Sequence, residues 1–171
     1  MTEISVDLKK LPIPDRSYVA DAVAIDTDGA FVRIFFAQRR LDGKSLRSLL
    51  IVSMSPEAVR TFVDSSVSFL GSLNSYMATH DIAAAEPLTF PIAEPEHVVS
   101  LRANLVAAGF SGRDAELQFF HLAPFAVHKA QIGVGDPPVE SLVRVDLSAY
   151  MVHAFLLGLT EYAAEPQGVM P

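Results

Sequence analysis

The chain has 171 residues, 50% of them apolar and 19% charged, with 13 Lys/Arg against 20 Asp/Glu and a net charge of −7. That composition excludes intrinsic disorder, and the length suits one domain with a core large enough to stand without a metal or disulfide staple. With no cysteine, disulfides, thiolate metal sites and cysteine nucleophiles are excluded, and a cytoplasmic location is expected.

The start, Met1–Lys10, shows no apolar run behind a basic stretch, so no signal peptide is expected there. The first predicted strand covers Val19–Asp26 and meets the turn Thr27-Asp28-Gly29. Asp-Gly between two apolar runs signals a hairpin. A second strand covers Phe31–Gln38, rich in Phe, Val and Ile. Arg33 on that strand has Asp21 or Asp26 as expected partners across the hairpin. A loop with Asp42-Gly43 leads to a third strand, Leu46–Met54. The loop region gathers Arg39, Arg40, Lys44 and Arg47. Charge runs of this kind usually solvate a loop, and phosphate backbones need larger basic clusters. No nucleic-acid partner is expected.

Ser55 is placed to cap a helix, with Pro56 at its first position, where a missing amide costs nothing. The helix is predicted over 56–77. Val59, Phe62, Val63, Leu70, Leu73 and Met77 recur at helical spacing and form its core stripe. Ser65, Ser68, Gly71, Ser72 and Ser75 make the opposite side small and polar. A linker over 78–97 carries Pro87, Pro91 and Pro95, which forbid a helix.

The pattern then recurs. Strands are predicted at Leu101–Ala108, Ala115–Leu122 and Ser141–Asp146, with a further short one at Ala126–Gln131. Ser148 is placed to cap a second helix reaching Ala164, and 165–171 reads as a tail. Leu50–Pro56 matches Val143–Ala149 at an offset of 93, and Ala30–Ala37 matches Ala115–Leu122 at an offset of 85. The expected fold is therefore α+β: two tandem β-β-β-α repeats, 16–77 and 98–164, forming an antiparallel sheet with two helices on one face and a pseudo-two-fold axis. No stretch approaches the roughly 18 apolar residues of a membrane span, and no membrane partner is expected.

The second helix is apolar nearly all round. Val152, Phe155, Leu156, Leu159 and Tyr162 form one stripe, and Met151, Ala154, Leu157 and Gly158 make the other side apolar too. Such a helix must be covered on all sides. The candidates are the first helix, a second subunit or a client protein. The expectation is a subunit interface through Met151, Ala154, Leu157 and Gly158, hence a homo-oligomer.

Chemistry-bearing motifs are sparse. No GxGxxG or GxxxxGK[ST] cradle is present, nor a GxSxG elbow, and no cofactor is called for. His80, His97, His121, His128 and His153 show no zinc-ligand spacing, so no metal is expected. His153 reads as a core or interface histidine. The residues left for a ligand pocket are Arg33, Glu116, Gln118 and His121, all on second strands of the two copies.

The stretch Phe31-Val32-Arg33-Ile34-Phe35-Phe36, then Ile51-Val52-Ser53-Met54-Ser55-Pro56 and an amphipathic helix, resembles a family of small uncharacterised bacterial domains with a strand-MSP-helix motif, over residues 18–77. The resemblance implies a fold and no activity. The architecture is also similar to the export-chaperone fold of the SecB type, an antiparallel sheet under helices. The sequence thus points to a non-enzymatic interaction or assembly module, with chaperone-like binding of a protein segment as one mechanism. A small-molecule binding domain or enzyme, with a pocket between repeats or subunits, is the alternative.

Overall fold

The computed structural model describes residues 11–83, 98–122 and 139–165. The predicted strand Ala126–Gln131, most of the linker, His97, His128 and most of the tail lie outside them. In chain order the elements are β1 (Ser17–Val19), β2 (Ala22–Thr27), β3 (Val32–Arg39), β4 (Leu46–Met54), α1 (Pro56–Ser65) and α2 (Val67–Thr79). They are followed by β5 (Val99–Arg102), β6 (Leu105–Ser111), β7 (Asp114–Leu122), β8 (Val139–Ser148) and α3 (Ala149–Ala164). The fold is α+β, as the pattern predicts.

The strands do not form the one antiparallel sheet expected. They form two mixed sheets, ordered β1-β8-β7-β6 and β2-β3-β4-β5. Each is an antiparallel meander with one parallel strand added, β1 on β8 and β5 on β4. The predicted strands Val19–Asp26 and Leu101–Ala108 are therefore each broken in two. The break is a change of sheet. The Ala20 amide donates to Asp146 O (2.9 Å), and the next amide, Asp21, donates to Ala37 O in the other sheet (2.9 Å). Ala103 and Asn104 repeat the step, donating to Ser53 O and Phe120 O, each at 3.0 Å. Strands that switch sheets make corners of this kind. Both alanines are buried, at 4% and 1% exposure, and a larger side chain at either corner would have to displace core.

β3 and β7 hold like places in the two sheets. Val32 pairs with Met54 and Ala115 with Leu147, each just before a helix N-cap, and both ladders are irregular after Phe36 and after Phe119. Val32 and Ala115 thus stand at like positions, 83 residues apart in place of the expected 85. The two-residue slip keeps every inward side chain inward, because strand side chains alternate with a period of two.

The Asp28-Gly29 hairpin forms as predicted. Asp28 Oδ1 accepts from the Phe31 (2.8 Å) and Ala30 (2.9 Å) amides, which hold the Asp28 carboxyl below its ordinary pKa, and Gly29 takes φ +90°. Ser55 caps α1 as predicted, its hydroxyl accepting from the Ala58 amide at 3.2 Å. Ser148 occupies the matching position with no such bond. There the α3 entry is tied instead by the Ala149 amide donating to Arg113 O at 2.7 Å. The helix predicted over 56–77 is interrupted at Ser66. The Ser65 and Ser66 hydroxyls both donate to Phe62 O (2.9 and 2.6 Å), competing with the amide ladder at that carbonyl.

One hydrophobic core joins the inward faces of both sheets and all three helices. Phe36 of β3 sits edge-on to Phe119 of β7 (centroids 5.8 Å apart) and against Phe155 of α3 (6.5 Å), which in turn meets Phe62 of α1 (6.3 Å). Helix α3 packs on α1, α2, β2, β7 and β8.

Candidate functional site

The four residues predicted to line a pocket do not converge. Arg33 belongs to the sheet of β3, where its Nη2 donates to Asp26 Oδ2 at 2.8 Å, the expected hairpin ion pair. Glu116, Gln118 and His121 lie on β7 in the other sheet. Gln118 Nε2 donates to Glu116 Oε1 (3.2 Å). His121 stands opposite Glu140 near the far end of the ladder. Glu116 faces Asp146 directly across β7 and β8, a repulsive pairing that Arg144 offsets, with its Nε 3.2 Å from Asp146 Oδ1 and 3.8 Å from Glu116 Oε2. All three side chains are more than a third exposed, so the cluster contributes at most about 1 kcal/mol per pair.

Of the four predicted interface residues, Met151 is 8% exposed and buried by the chain itself. Ala154 and Gly158 are half-buried. A Cβ on Gly158 would stand 3.0 Å from Ile25 Cδ1, so the glycine permits close packing of α3 on β2. Leu157 remains exposed at 39%. The cover demanded by an all-apolar helix comes largely from α1, α2 and β2 of the same chain. The small-residue face of the first helical segments, Ser65, Ser68, Gly71, Ser72 and Ser75, is exposed.

His153 is a core histidine, 7% exposed, linking α3 to α2 by a 2.6 Å hydrogen bond between its Nε2 and Asn74 Oδ1. With that oxygen accepting, Nε2 carries the proton, and the buried Nδ1 has no hydrogen-bond partner among the described residues. Burial pushes the pKa below the ordinary histidine value. The folded state therefore binds fewer protons than the unfolded chain, and stability rises with pH across this interval. The contribution is complete above about pH 6.5 and is lost as the pH falls through that value toward the folded pKa. Thermal unfolding is expected at a lower temperature near pH 5.5 than near pH 7.5, and His153→Gln is expected to flatten the difference. An unchanged pH slope in the variant removes His153 as its origin.

A site the sequence did not reveal lies where β1 turns into β2. There an open cleft of about 570 Å³ is lined by Val19, Asp21, Arg39, Asp114, Asp146 and Tyr150 among others. The corner builds it. Val19 is paired with Asp146, Asp114 with Ser148, and Asp21 Oδ2 accepts from the Arg39 amide at 2.7 Å. Tyr150 contributes from the first turn of α3. Asp21, Asp114 and Asp146 share this lining with Arg39, beside exposed apolar surface: Val19 is 61% exposed and Tyr150 42%. Residues from five elements, β1, β3, β7, β8 and α3, and from the β1–β2 corner meet only after the sheet change, so no local spacing signals the site. Among the described residues, no group of three or more His, Asp or Glu side chains could hold a metal ion, and no helix is long and apolar enough to cross a membrane. The chain matches no protein-family model, no curated protein and no solved structure.

Proposed function

We propose that this protein is a non-enzymatic assembly module, made by duplication of a β-β-β-α unit with pseudo-two-fold symmetry, that self-associates through the cleft end of the sheet β1-β8-β7-β6. The duplication is supported by the recurrence of the corner bonds at Ala20/Ala103 and Asp21/Asn104. The observation that carries the functional reading is the cleft beside β1. This strand has three residues and, among the described residues, ends its sheet's order, and exposed Val19 and Tyr150 flank the opening. Edge strands accept added chains, and an apolar rim supplies the desolvated centre that a protein contact needs. Chaperone-like uptake of an extended segment would use the same edge. A cytoplasmic setting fits a chain without cysteine.

The pocket alternative has less behind it, because Arg33, Glu116 and Gln118 are engaged with neighbours and split between two sheets. Light scattering on the full chain tests the proposal. A mass of two or more chains is expected at concentrations up to about 100 µM, well above a micromolar Kd. The double variant Val19→Asp/Tyr150→Asp is expected to keep its circular dichroism and lose the association. A wild-type chain that stays single throughout refutes the reading.

A further inference from the structure

We infer that the occupant of the cleft is the β3–β4 hairpin of a second copy of this chain, an inference that rests on the self-association proposed above. The hairpin presents Arg40, Leu41 and Lys44 in one exposed turn, with Arg47 beside it at the start of β4, donating to Gln38 Oε1 at 2.7 Å. Its acidic residue, Asp42, is turned into the loop, where Oδ1 accepts from the Lys44 amide (2.9 Å) and the Ser45 amide (3.3 Å). Those bonds hold the Asp42 carboxyl below its ordinary pKa. The turn is preset, with Gly43 at φ +68° and its amide donating to Arg40 O at 3.0 Å. A preset loop loses little entropy on docking.

Leu41 at the tip is fully exposed, at 109%. The hairpin therefore does not fold into its own chain's cleft. Basic groups around an apolar tip complement the acidic excess of the cleft, where Asp21, Asp114 and Asp146 stand with Arg39, and Arg144 holds Asp146. Arg39 joins the two features, since it lines the cleft and ends β3 at the base of the hairpin. Donor and acceptor surfaces side by side on one rim are suited to a two-fold dimer, in which each hairpin enters the other's cleft and the contact forms twice.

Charge reversal on the full chain tests this. Arg40→Glu/Lys44→Glu gives an acidic hairpin with an acidic cleft, and Asp114→Lys/Asp146→Lys a basic hairpin with a basic cleft. Each alone is expected to weaken association at least about tenfold, and an equimolar mixture is expected to restore it, because both contacts become complementary again. Leu41→Glu is a third variant, at a side chain that packs on nothing in its own chain, and it is expected to dissociate the dimer without changing the folded state. Two-chain mass in the wild type that survives all three variants overturns the hairpin contact and leaves self-association standing. Loss in both reversed variants without rescue in the mixture also overturns it. A single-chain wild type overturns the inference and the proposal it rests on.

Discussion

Phe119→Ala is expected to lower the unfolding free energy by about 3–5 kcal/mol, the range for truncating a fully buried phenylalanine. Phe119 is 0% exposed and is one of the two rings that join the sheets, edge-on to Phe36 at 5.8 Å. Truncation removes its transfer free energy and leaves a cavity whose walls are held by two sheets and cannot close freely. It also forfeits the edge-to-face interaction, about 0.5–1.5 kcal/mol beyond burial. Phe36→Ala is expected to cost as much, and the double variant less than the sum, because the shared contact is lost only once. Urea unfolding followed by circular dichroism reads all three. A cost below about 1 kcal/mol for Phe119→Ala is incompatible with one core shared by both sheets.

Asn104→Ala carries the second large effect, about 2–3 kcal/mol. The β6–β7 ladder ends at Leu105 opposite Phe120, and the Asn104 side chain extends it by hand. Its Oδ1 accepts from the Leu122 amide at 2.7 Å, and its Nδ2 donates to Leu122 O at 2.6 Å. Alanine leaves both backbone groups of Leu122 unpaired on that side, in a half-buried position where water replaces them poorly. Asp21 makes the corresponding bond to Arg39 with an acceptor only, and in an exposed setting. Asp21→Ala is therefore expected to cost about 1 kcal/mol or less. Thermal unfolding of the two variants side by side gives the comparison, and equal costs remove the clamp as the source of the difference.

Much of the local structure was legible before folding. Asp28-Gly29 has one good use between two apolar runs, and Ser55-Pro56 has one good use before an apolar stripe. The ion pair of Arg33 with Asp26 follows from the register that the turn imposes. Ser148 shows the limit of such reasoning. It stands where Ser55 stands, but the carbonyl of Arg113 reaches the first helical amide from another element. The interruption at Ser66 was hidden similarly, since serine hydroxyls turn either to water or back to the helix.

What the amino-acid order determined by itself was the kind of element at each place, the face each turns inward, and the need to cover α3 on every side. These depend on side-chain chemistry at short spacing, with a period of two in strands and 3.6 in helices. Tertiary structure alone decided which sheet each strand joins, which chain covers α3, and that Asp21, Asp114 and Asp146 border one cleft with Val19 and Tyr150. A backbone amide bonds equally well to a carbonyl of either sheet, so Ala20 and Asp21 carry no local mark of the change between them. The partners are chosen by how the whole core packs.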